Sequence, residues 1–155
     1  MVLLNEVLID RESFYFPYLN ILPSSYDTLL LWSGEELREL QQYPTRAENI
    51  TTDLYLRIAQ REHLLARLRR HGLDELAKQI SMPLYLWAHA AASTRCFELN
   101  STVEYALVPF ADLLNHHAES PTLWRQEEGK FVMYVHGGGF EKGTQVYNNY
   151  GGDQR

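Results

Sequence analysis

The sequence predicts an α+β domain, because its two halves carry different patterns of apolar residues. Residues from about 33 to 98 place apolar side chains at the spacing of amphipathic helices. Residues 99–155 instead show β-branched and aromatic runs that are separated by glycine-rich turns, which is typical of strands joined in hairpins. Helices followed by antiparallel β hairpins indicate an α+β fold rather than a doubly wound sheet.

Three helices are predicted in the first half. Ser33-Gly34-Glu35-Glu36 fits a capping box at the start of the first. A longer helix is expected over Thr52–Arg70, with Gly72 at the position where a glycine commonly ends a helix. The third begins near Ser81-Met82-Pro83, because proline is tolerated in a first helical turn. Residues 1–32 are expected to form an extended or irregular leading segment.

The second half is expected to form strands and turns. An apolar run over Val103–Phe110 is followed by two runs, Thr122–Gln126 and Lys130–His136, that flank a turn containing Gly129. A last short strand is expected over Thr144–Asn148, leading into a Tyr-Gly turn.

Composition and charge limit the class of protein. The 155 residues are 45% hydrophobic and 22% charged, as in one soluble globular domain. A surplus of 20 acidic over 14 basic residues argues against a nucleic-acid partner and favours a basic peptide or protein. The single cysteine, Cys96, excludes an internal disulfide framework. With no signal peptide or membrane span evident, we expect an intracellular protein, cytoplasmic or nuclear, without a membrane partner. We also expect a monomer.

Two motifs suggest other chemistry, and both have a simpler interpretation. His136-Gly137-Gly138-Gly139 resembles an oxyanion-hole segment, but that chemistry requires a G-x-S-x-G nucleophile turn, which the sequence lacks. A glycine turn between strands is therefore favoured. His116, His117 and Glu119 could form a metal site, but adjacent residues of an extended chain point to opposite sides. We expect no metal.

Three segments in order carry a resemblance to a known family. They are Trp87-Ala88 with Ser93-Thr94-Arg95-Cys96-Phe97, then Val108-Pro109-Phe110-Ala111-Asp112-Leu113-Leu114-Asn115-His116, then Gly143 with Tyr147-Asn148-Asn149-Tyr150-Gly151. Together they resemble the SET-domain protein methyltransferases of the Rubisco large-subunit methyltransferase class. That class includes ribosomal-protein lysine methyltransferases and the actin-histidine methyltransferase. The resemblance implies a protein substrate methylated on lysine, or on histidine, with S-adenosyl-L-methionine (AdoMet) as methyl donor.

The resemblance assigns three residues to AdoMet. Arg95 would bind its carboxylate, a task for which the guanidinium is well suited because it forms charge-assisted hydrogen bonds. From its position alone, Arg95 is better interpreted as a cation at a helix C-terminus, where the helix dipole favours it, and only the flanking motifs reverse this interpretation. Asn115 and His116 would pass beneath the adenine, although Asn115 also fits a simple turn after a buried strand.

The same resemblance assigns the remaining roles. Tyr150, with Gly151 after it, corresponds to the catalytic tyrosine, whose hydroxyl would align the amine with the sulfonium methyl group. A tyrosine in such a turn is otherwise commonly a core anchor. Thr94 and Asp112 would shape the substrate channel.

The resemblance covers only part of the family's architecture. It implies a leading segment over 1–32, a helical insert over 33–98 and the C-terminal part of the SET core over 99–155. The family's glycine-rich AdoMet segment and its helical substrate-binding domain have no counterpart in the sequence, so we expect an incomplete domain. A non-catalytic SET fragment that serves as a protein-interaction module is therefore a competing hypothesis.

Overall fold

The computed structural model describes residues 2–100 and 104–150. The fold is α+β, as predicted, with six α-helices and six short strands in the described residues. The chain divides into two compact units, Met1–Thr94 and Arg95–Arg155. None of the helices within the described ranges has the length and apolar character needed to cross a membrane.

The unit Met1–Thr94, called here the helical unit, is built from helices and short 3-10 turns. Its helices are α1 (Val2–Ile9), α2 (Phe16–Leu19), α3 (Gly34–Glu39), α4 (Pro44–Arg70), α5 (Asp74–Gln79) and α6 (Met82–Arg95), the last residue of which opens the second unit. Turns of 3-10 helix lie at Asp10–Glu12, Leu29–Leu31 and Leu40–Gln42.

The core of the helical unit is an apolar cluster centred on the second half of α4. Three of its leucines are buried at helical spacing, and residues of α1, α5 and α6 pack against them. The buried members are Leu4, Leu64, Leu65, Leu68, Ala77, Ile80 and Ala88. The guanidinium of Arg61 donates from Nε and Nη2 to the carbonyl of Ile80, at 3.0 and 2.6 Å, and so ties α4 to the turn before α6.

The expectation of an irregular segment over residues 1–32 is wrong, because this region contains α1 and α2. Leu4 is 5% exposed, and Leu3 and Leu8 pack against the same core cluster. Burial of these side chains stabilises a helix that is too short to be stable by itself. The apolar residues of α1 do not follow a clear 3.6-residue period, which is why their helical conformation was missed.

Helix α4 begins at Pro44, well before the predicted start at Thr52, with the proline in the first turn where its missing N–H is not needed. Its end follows the prediction. Gly72 has a φ of 73°, its N–H donates to the carbonyl of Arg69, and the N–H of Leu73 donates to the carbonyl of Leu68. This is the Schellman arrangement that a glycine permits.

The other two helix starts are confirmed. The Ser33 hydroxyl accepts from the Glu36 N–H while the Glu36 carboxylate accepts from the Ser33 N–H, which is the capping box at α3. Helix α6 starts after Ser81, whose hydroxyl accepts from the Leu84 N–H at 3.2 Å. Farther along α6, the indole of Trp87 donates to the Pro23 carbonyl.

The unit from Arg95 to Arg155 is called here the strand unit, and three two-stranded sheets lie in the part of it that the structure describes. Its strands are β1 (Cys96–Asn100), β2 (Glu104–Leu107), β3 (Asn115–His116), β4 (Thr122–Glu127), β5 (Lys130–Val135) and β6 (Tyr147–Asn148). The pairs β1–β2 and β4–β5 are antiparallel, whereas β3–β6 is parallel. Glu128 and Gly129, both with positive φ, form the two-residue turn between β4 and β5.

Several predicted bounds in the strand unit need correction. The helical region ends at Arg95 rather than near residue 98, and β1 begins directly after it. The strand expected over Val103–Phe110 ends at Leu107, because Phe110 turns the chain with a φ of 72°. Such a backbone conformation costs a non-glycine residue about 1–3 kcal/mol. The strand expected over Thr144–Asn148 is only β6; Val103 and Gly151 lie outside the described residues.

Aromatic rings form the apolar centre of the strand unit. Phe97 of β1 is buried and contacts Trp124 of β4 and Phe131 of β5, with ring centroids 5.8 and 4.9 Å away. Trp124 and Phe131 stack on each other across the β4–β5 pair. This cluster packs β1 against the β4–β5 hairpin.

Candidate active site

The candidate site is built on the chain from the 3-10 turn Ala111–Leu113 into β3. Asn115 and His116 form β3 and are exposed. Their backbones pair with Tyr147 and Asn148 of β6, and the His117 N–H extends the ladder by donating to the Asn148 carbonyl at 3.0 Å. The side chains of β3 project to the two faces of the ladder, and their exposure leaves them free to contact a ligand.

Both the backbone N–H and the side-chain hydroxyl of Tyr150 form hydrogen bonds with this segment. Its backbone N–H donates to Nδ1 of His116 at 3.0 Å, and its hydroxyl donates a short hydrogen bond to the carbonyl of Leu114. The rings of His116 and Tyr150 lie 5.2 Å apart between centroids. Two of the three predicted parts of the site are therefore in direct contact, although they are far apart in sequence.

The contact with Tyr150 fixes the tautomer of His116. Because Nδ1 accepts the Tyr150 N–H, the neutral imidazole carries its proton on Nε2. The exposed His116 ring therefore offers a hydrogen-bond donor to a ligand at Nε2.

Residues that sequence reasoning did not select support this arrangement. The Ser120 hydroxyl donates to the Tyr147 carbonyl at 2.7 Å, and the Asn149 amide donates to the Ala118 carbonyl at 3.1 Å. The rings of His117 and Tyr147 also contact each other. Each contact joins residues of β6 or its end to the chain after β3, and no local sequence signal indicates such pairs.

Arg95 and Asp112 form an ion pair. Nη1 of Arg95 lies 3.1 Å from Oδ2 of Asp112 and also donates to the Asp112 carbonyl at 3.4 Å. The Asp112 side chain is 0% exposed and that of Arg95 is 22% exposed. A buried carboxylate requires such a partner, since an unpaired charge there would be strongly destabilised. The pair links Arg95 to the 3-10 turn within the strand unit and was not predicted.

Thr94 lies in the last turn of α6, in the helical unit. Its hydroxyl donates to the Ala90 carbonyl at 2.7 Å, a bond within its own helix. The predicted roles of Thr94 in substrate binding and of Arg95 in cofactor binding stay predictions.

The two motifs that suggested an oxyanion hole and a metal site, His136–Gly139 and the segment around His117, are exposed. Gly137 and Gly138 have φ values of 81° and 151°, which suits a glycine turn after β5. Nδ1 of His117 accepts from the Glu119 N–H at 3.2 Å. Across residues 2–100 and 104–150, no three His, Cys, Asp or Glu side chains are grouped so that they could hold a metal ion.

Comparisons with known proteins extend the resemblance over nearly the whole chain. It is 27% identical to "Ribosomal lysine N-methyltransferase set10" of Schizosaccharomyces pombe, over 94% of this chain and 27% of that protein. It is 31% identical to the Nicotiana tabacum Rubisco large-subunit N-methyltransferase, over 68% of this chain and 21% of that protein. It is also 31% identical to the Mus musculus actin-histidine N-methyltransferase, over 90% of this chain and 25% of that protein. No family model matches the chain.

A solved structure shares the fold. The SET domain of LSMT, in a crystal structure with lysine and AdoHcy, superimposes with a TM-score of 0.70 and 22% identity, covering 97% of this chain and 35% of that one. The chain spans about a quarter of the length of the curated relatives it matches. In sequence and in fold, the chain belongs to the SET-domain class that contains the Rubisco large-subunit, ribosomal-protein lysine and actin-histidine methyltransferases.

Proposed function

We propose that the chain is part of an AdoMet-dependent protein-lysine N-methyltransferase, with Tyr150 as its catalytic residue. The observation that carries this proposal is the attachment of Tyr150 to the Leu114–His116 segment through both its backbone N–H and its hydroxyl. A tyrosine held at two points has a fixed hydroxyl position, which is what alignment of an in-line methyl transfer requires.

The described residues are compatible with AdoMet. Asn115 and His116 are exposed, but as neighbours in a strand they direct their side chains to opposite faces. One side chain and the backbone of this segment would therefore contact the adenine. His116 contributes the Nε2–H donor noted above. Bound AdoMet supplies the sulfonium methyl group. Asn115 and His116 would hold the adenine side of it.

The hydroxyl of Tyr150 can act as a hydrogen-bond acceptor toward the substrate. Because its proton is donated to the Leu114 carbonyl, the oxygen directs its lone pairs away from that bond. These lone pairs can accept an N–H of the target amine and orient its nitrogen lone pair toward the methyl group. The target ammonium must first lose a proton to solvent, because only the neutral amine can attack. Transfer of the methyl group would then move the positive charge from the sulfonium to the amine nitrogen, and the thioether AdoHcy would leave.

Arg95 and Asp112 would complete the site as a pair. The buried Asp112 carboxylate restricts the guanidinium of Arg95, which makes it a fixed anchor for the carboxylate of the methyl donor. In this proposal Asp112 contributes to substrate binding through the position of the 3-10 turn. Thr94, one residue before Arg95, is proposed to contribute to substrate binding.

Histidine methylation is a second candidate, favoured by one specific observation. The Mus musculus actin-histidine enzyme matches 90% of this chain at 31% identity, a longer match at the same identity as the tobacco Rubisco enzyme. Otherwise identical peptides with a central lysine or a central histidine, incubated with methyl-labelled AdoMet, would separate the two activities.

The test of the proposal is Tyr150→Phe in the full-length protein. Loss of the hydroxyl should lower kcat by about a hundredfold or more, while the Kd of AdoMet changes less than about twofold. Tyr105→Phe is the matched control, because Tyr105 is also more than half exposed in the strand unit but lies in β2. Steady-state kinetics and calorimetric titration measure the two constants.

Two results would count against the proposal. An unchanged kcat in Tyr150→Phe removes Tyr150 from the mechanism. Absence of AdoMet binding by the unmodified protein would favour the competing hypothesis of a non-catalytic interaction module.

A further inference from the structure

Hydrogen bonds, more than packing, determine the position of Tyr150. The residue is 60% exposed, so surrounding side chains restrict it little. Its hydroxyl donates to the Leu114 carbonyl, and its backbone N–H donates to Nδ1 of His116. The two rings also contact each other, with planes inclined at 37°. His116 therefore contributes two of these three contacts.

The two hydrogen-bond acceptors of Tyr150 differ in kind. Leu114 contributes a backbone carbonyl, which any residue at that position would present. His116 contributes a side-chain nitrogen, so this contact depends on the residue type at position 116 and on its protonation. The pairing of His116 with Asn148 in the β3–β6 ladder fixes the backbone from which the imidazole projects.

Only the neutral imidazole of His116 can accept the Tyr150 N–H. An imidazole that gains a second proton has an N–H at both ring nitrogens and no acceptor. Nδ1–H would then face the Tyr150 N–H across 3.0 Å, and two donors cannot form this bond. The neighbouring elements carry one other imidazole, His117. The remaining titratable or charged side chains on these elements are those of Asp112, paired with Arg95, and of Glu119, Tyr147 and Tyr150.

We propose that His116 is a positioning residue for methyl transfer, which holds Tyr150 in its neutral form and releases it when protonated. Turnover thereby becomes sensitive to protons at a second group besides the target amine. This role is separate from a contact of Nε2–H with AdoMet, because it uses the other ring nitrogen. The inference rests on the proposed function for the catalytic role of Tyr150.

Two substitutions of His116 separate the acceptor from the other properties of the imidazole. His116→Asn keeps a side-chain oxygen that can accept the Tyr150 N–H, whereas His116→Leu has a similar size and no acceptor. Both lose Nε2–H and the ring, so both should lose the same AdoMet affinity. The full-length protein is assayed with saturating AdoMet and the peptide that it methylates, with a central lysine or a central histidine. The kcat of His116→Leu should be about tenfold below that of His116→Asn, while their KM values for AdoMet differ less than about twofold.

The same pair of variants in a Tyr150→Phe background tests whether His116 acts through the tyrosine. Without the hydroxyl there is no group to position, so the kcat values of the two double variants should agree within about twofold. A tenfold difference that persists in this background would show that His116 acts elsewhere, and it would overturn the inference.

A pH profile tests the sensitivity to protons. Protonation of the target amine lowers the kcat of every variant alike, so it cancels in the ratio of the unmodified protein to His116→Asn. That ratio should fall about threefold or more between about pH 8 and pH 5.5, the range in which imidazoles commonly gain a proton. His117→Asn is the matched control, because it removes the neighbouring exposed imidazole and should show the same fall relative to His116→Asn. A ratio that does not change with pH contradicts the inference, and this measurement decides the matter if His116→Leu does not fold.

Hydrogen exchange of the Tyr150 amide is a readout that needs no turnover. Exchange should be about tenfold faster in His116→Leu than in His116→Asn, and equal rates overturn the inference. If Tyr150→Phe loses turnover but the two His116 variants have equal kcat, the inference fails and the proposed function stands. If the unmodified protein transfers no methyl group, the proposed function fails, while slower exchange in His116→Asn still supports His116 as the group that holds Tyr150.

Discussion

The helical unit and the strand unit bury different kinds of side chain. All the buried apolar residues of the described chain except Phe97 lie in the helical unit, whereas Asp112, Thr122 and Asn148 are buried polar residues of the strand unit. Apolar burial is non-directional and tolerates small shifts, but hydrogen bonds and ion pairs require fixed geometry. The candidate site lies in the strand unit, where the Arg95–Asp112 ion pair and the β3–β6 ladder hold groups in fixed positions.

The largest loss of stability in either unit is expected from Leu65→Ala. Leu65 is 3% exposed in the core of the helical unit, and its loss should lower the free energy of unfolding by about 3 kcal/mol through lost burial and a cavity. Leu56→Ala, on an exposed position of the same α4, is the control and should cost far less. Urea denaturation measures both. Equal losses would show that apolar burial does not dominate this unit.

Asp112→Asn tests the polar support of the strand unit. Removing the buried charge leaves Arg95 without its carboxylate partner and should cost about 2 kcal/mol, less than a fully buried pair because Arg95 is 22% exposed. Glu35→Gln removes the carboxylate from an exposed pair with Arg38 and should have no measurable effect. If Asp112→Asn has no effect either, hydrogen bonds rather than this ion pair stabilise the turn.

Ser33→Ala should have a smaller effect, on the helical unit. It removes the hydroxyl that caps α3 and should cost about 1 kcal/mol. Ser93→Ala is the matched change, since the Ser93 hydroxyl donates only to the Ala90 carbonyl within α6. Thermal denaturation of the two variants should rank Ser33→Ala as the less stable; the reverse order would mean that the cap contributes nothing.

The smallest expected effect is a pH dependence from His89. Burial lowers the pKa of His89 below its usual value, nearby Arg57 lowers it further, and Asp53 offsets this in part. Below about pH 6.5 the unfolded chain therefore takes up a proton that the folded chain resists, and stability falls until the pH is below the folded pKa. His89→Gln should flatten this dependence in urea titrations at pH 7.5 and 5.5. The exposed His63→Gln should leave it unchanged, and an equal slope in both variants would contradict the assignment.

The features that the sequence predicted are those specified by a few adjacent residues. The capping box at Ser33, the glycine end of α4 at Gly72 and the start of α6 before Pro83 all follow from local chemistry. The start of α4 was missed, although Pro44 in the first turn is a signal that could have found it. Helix α1 depends on burial of Leu4 by residues far along the chain, which no local pattern specifies.

In the candidate site, too, the contacts between residues distant in sequence could not be predicted. Its residues were selected through a family resemblance, but their contacts were not predicted. The Arg95–Asp112 pair and the bond from Tyr150 to Leu114 join residues that are distant in sequence. The parallel strands β3 and β6 are only two residues each, too short to give an alternating pattern. The roles of these residues stay predictions until the variants above are measured.

The parallel pairing of β3 with β6 also has a consequence for folding kinetics. It closes a long loop, which contains β4 and β5, and the entropy of that closure must be overcome before the contact contributes stability. The β4–β5 hairpin needs only local closure, so it should form earlier and reduce the length of flexible loop that β3 and β6 must still close. Tyr150 would therefore reach His116 and Leu114 late in folding. During synthesis and refolding, acquisition of a correctly placed tyrosine should lag behind acquisition of secondary structure.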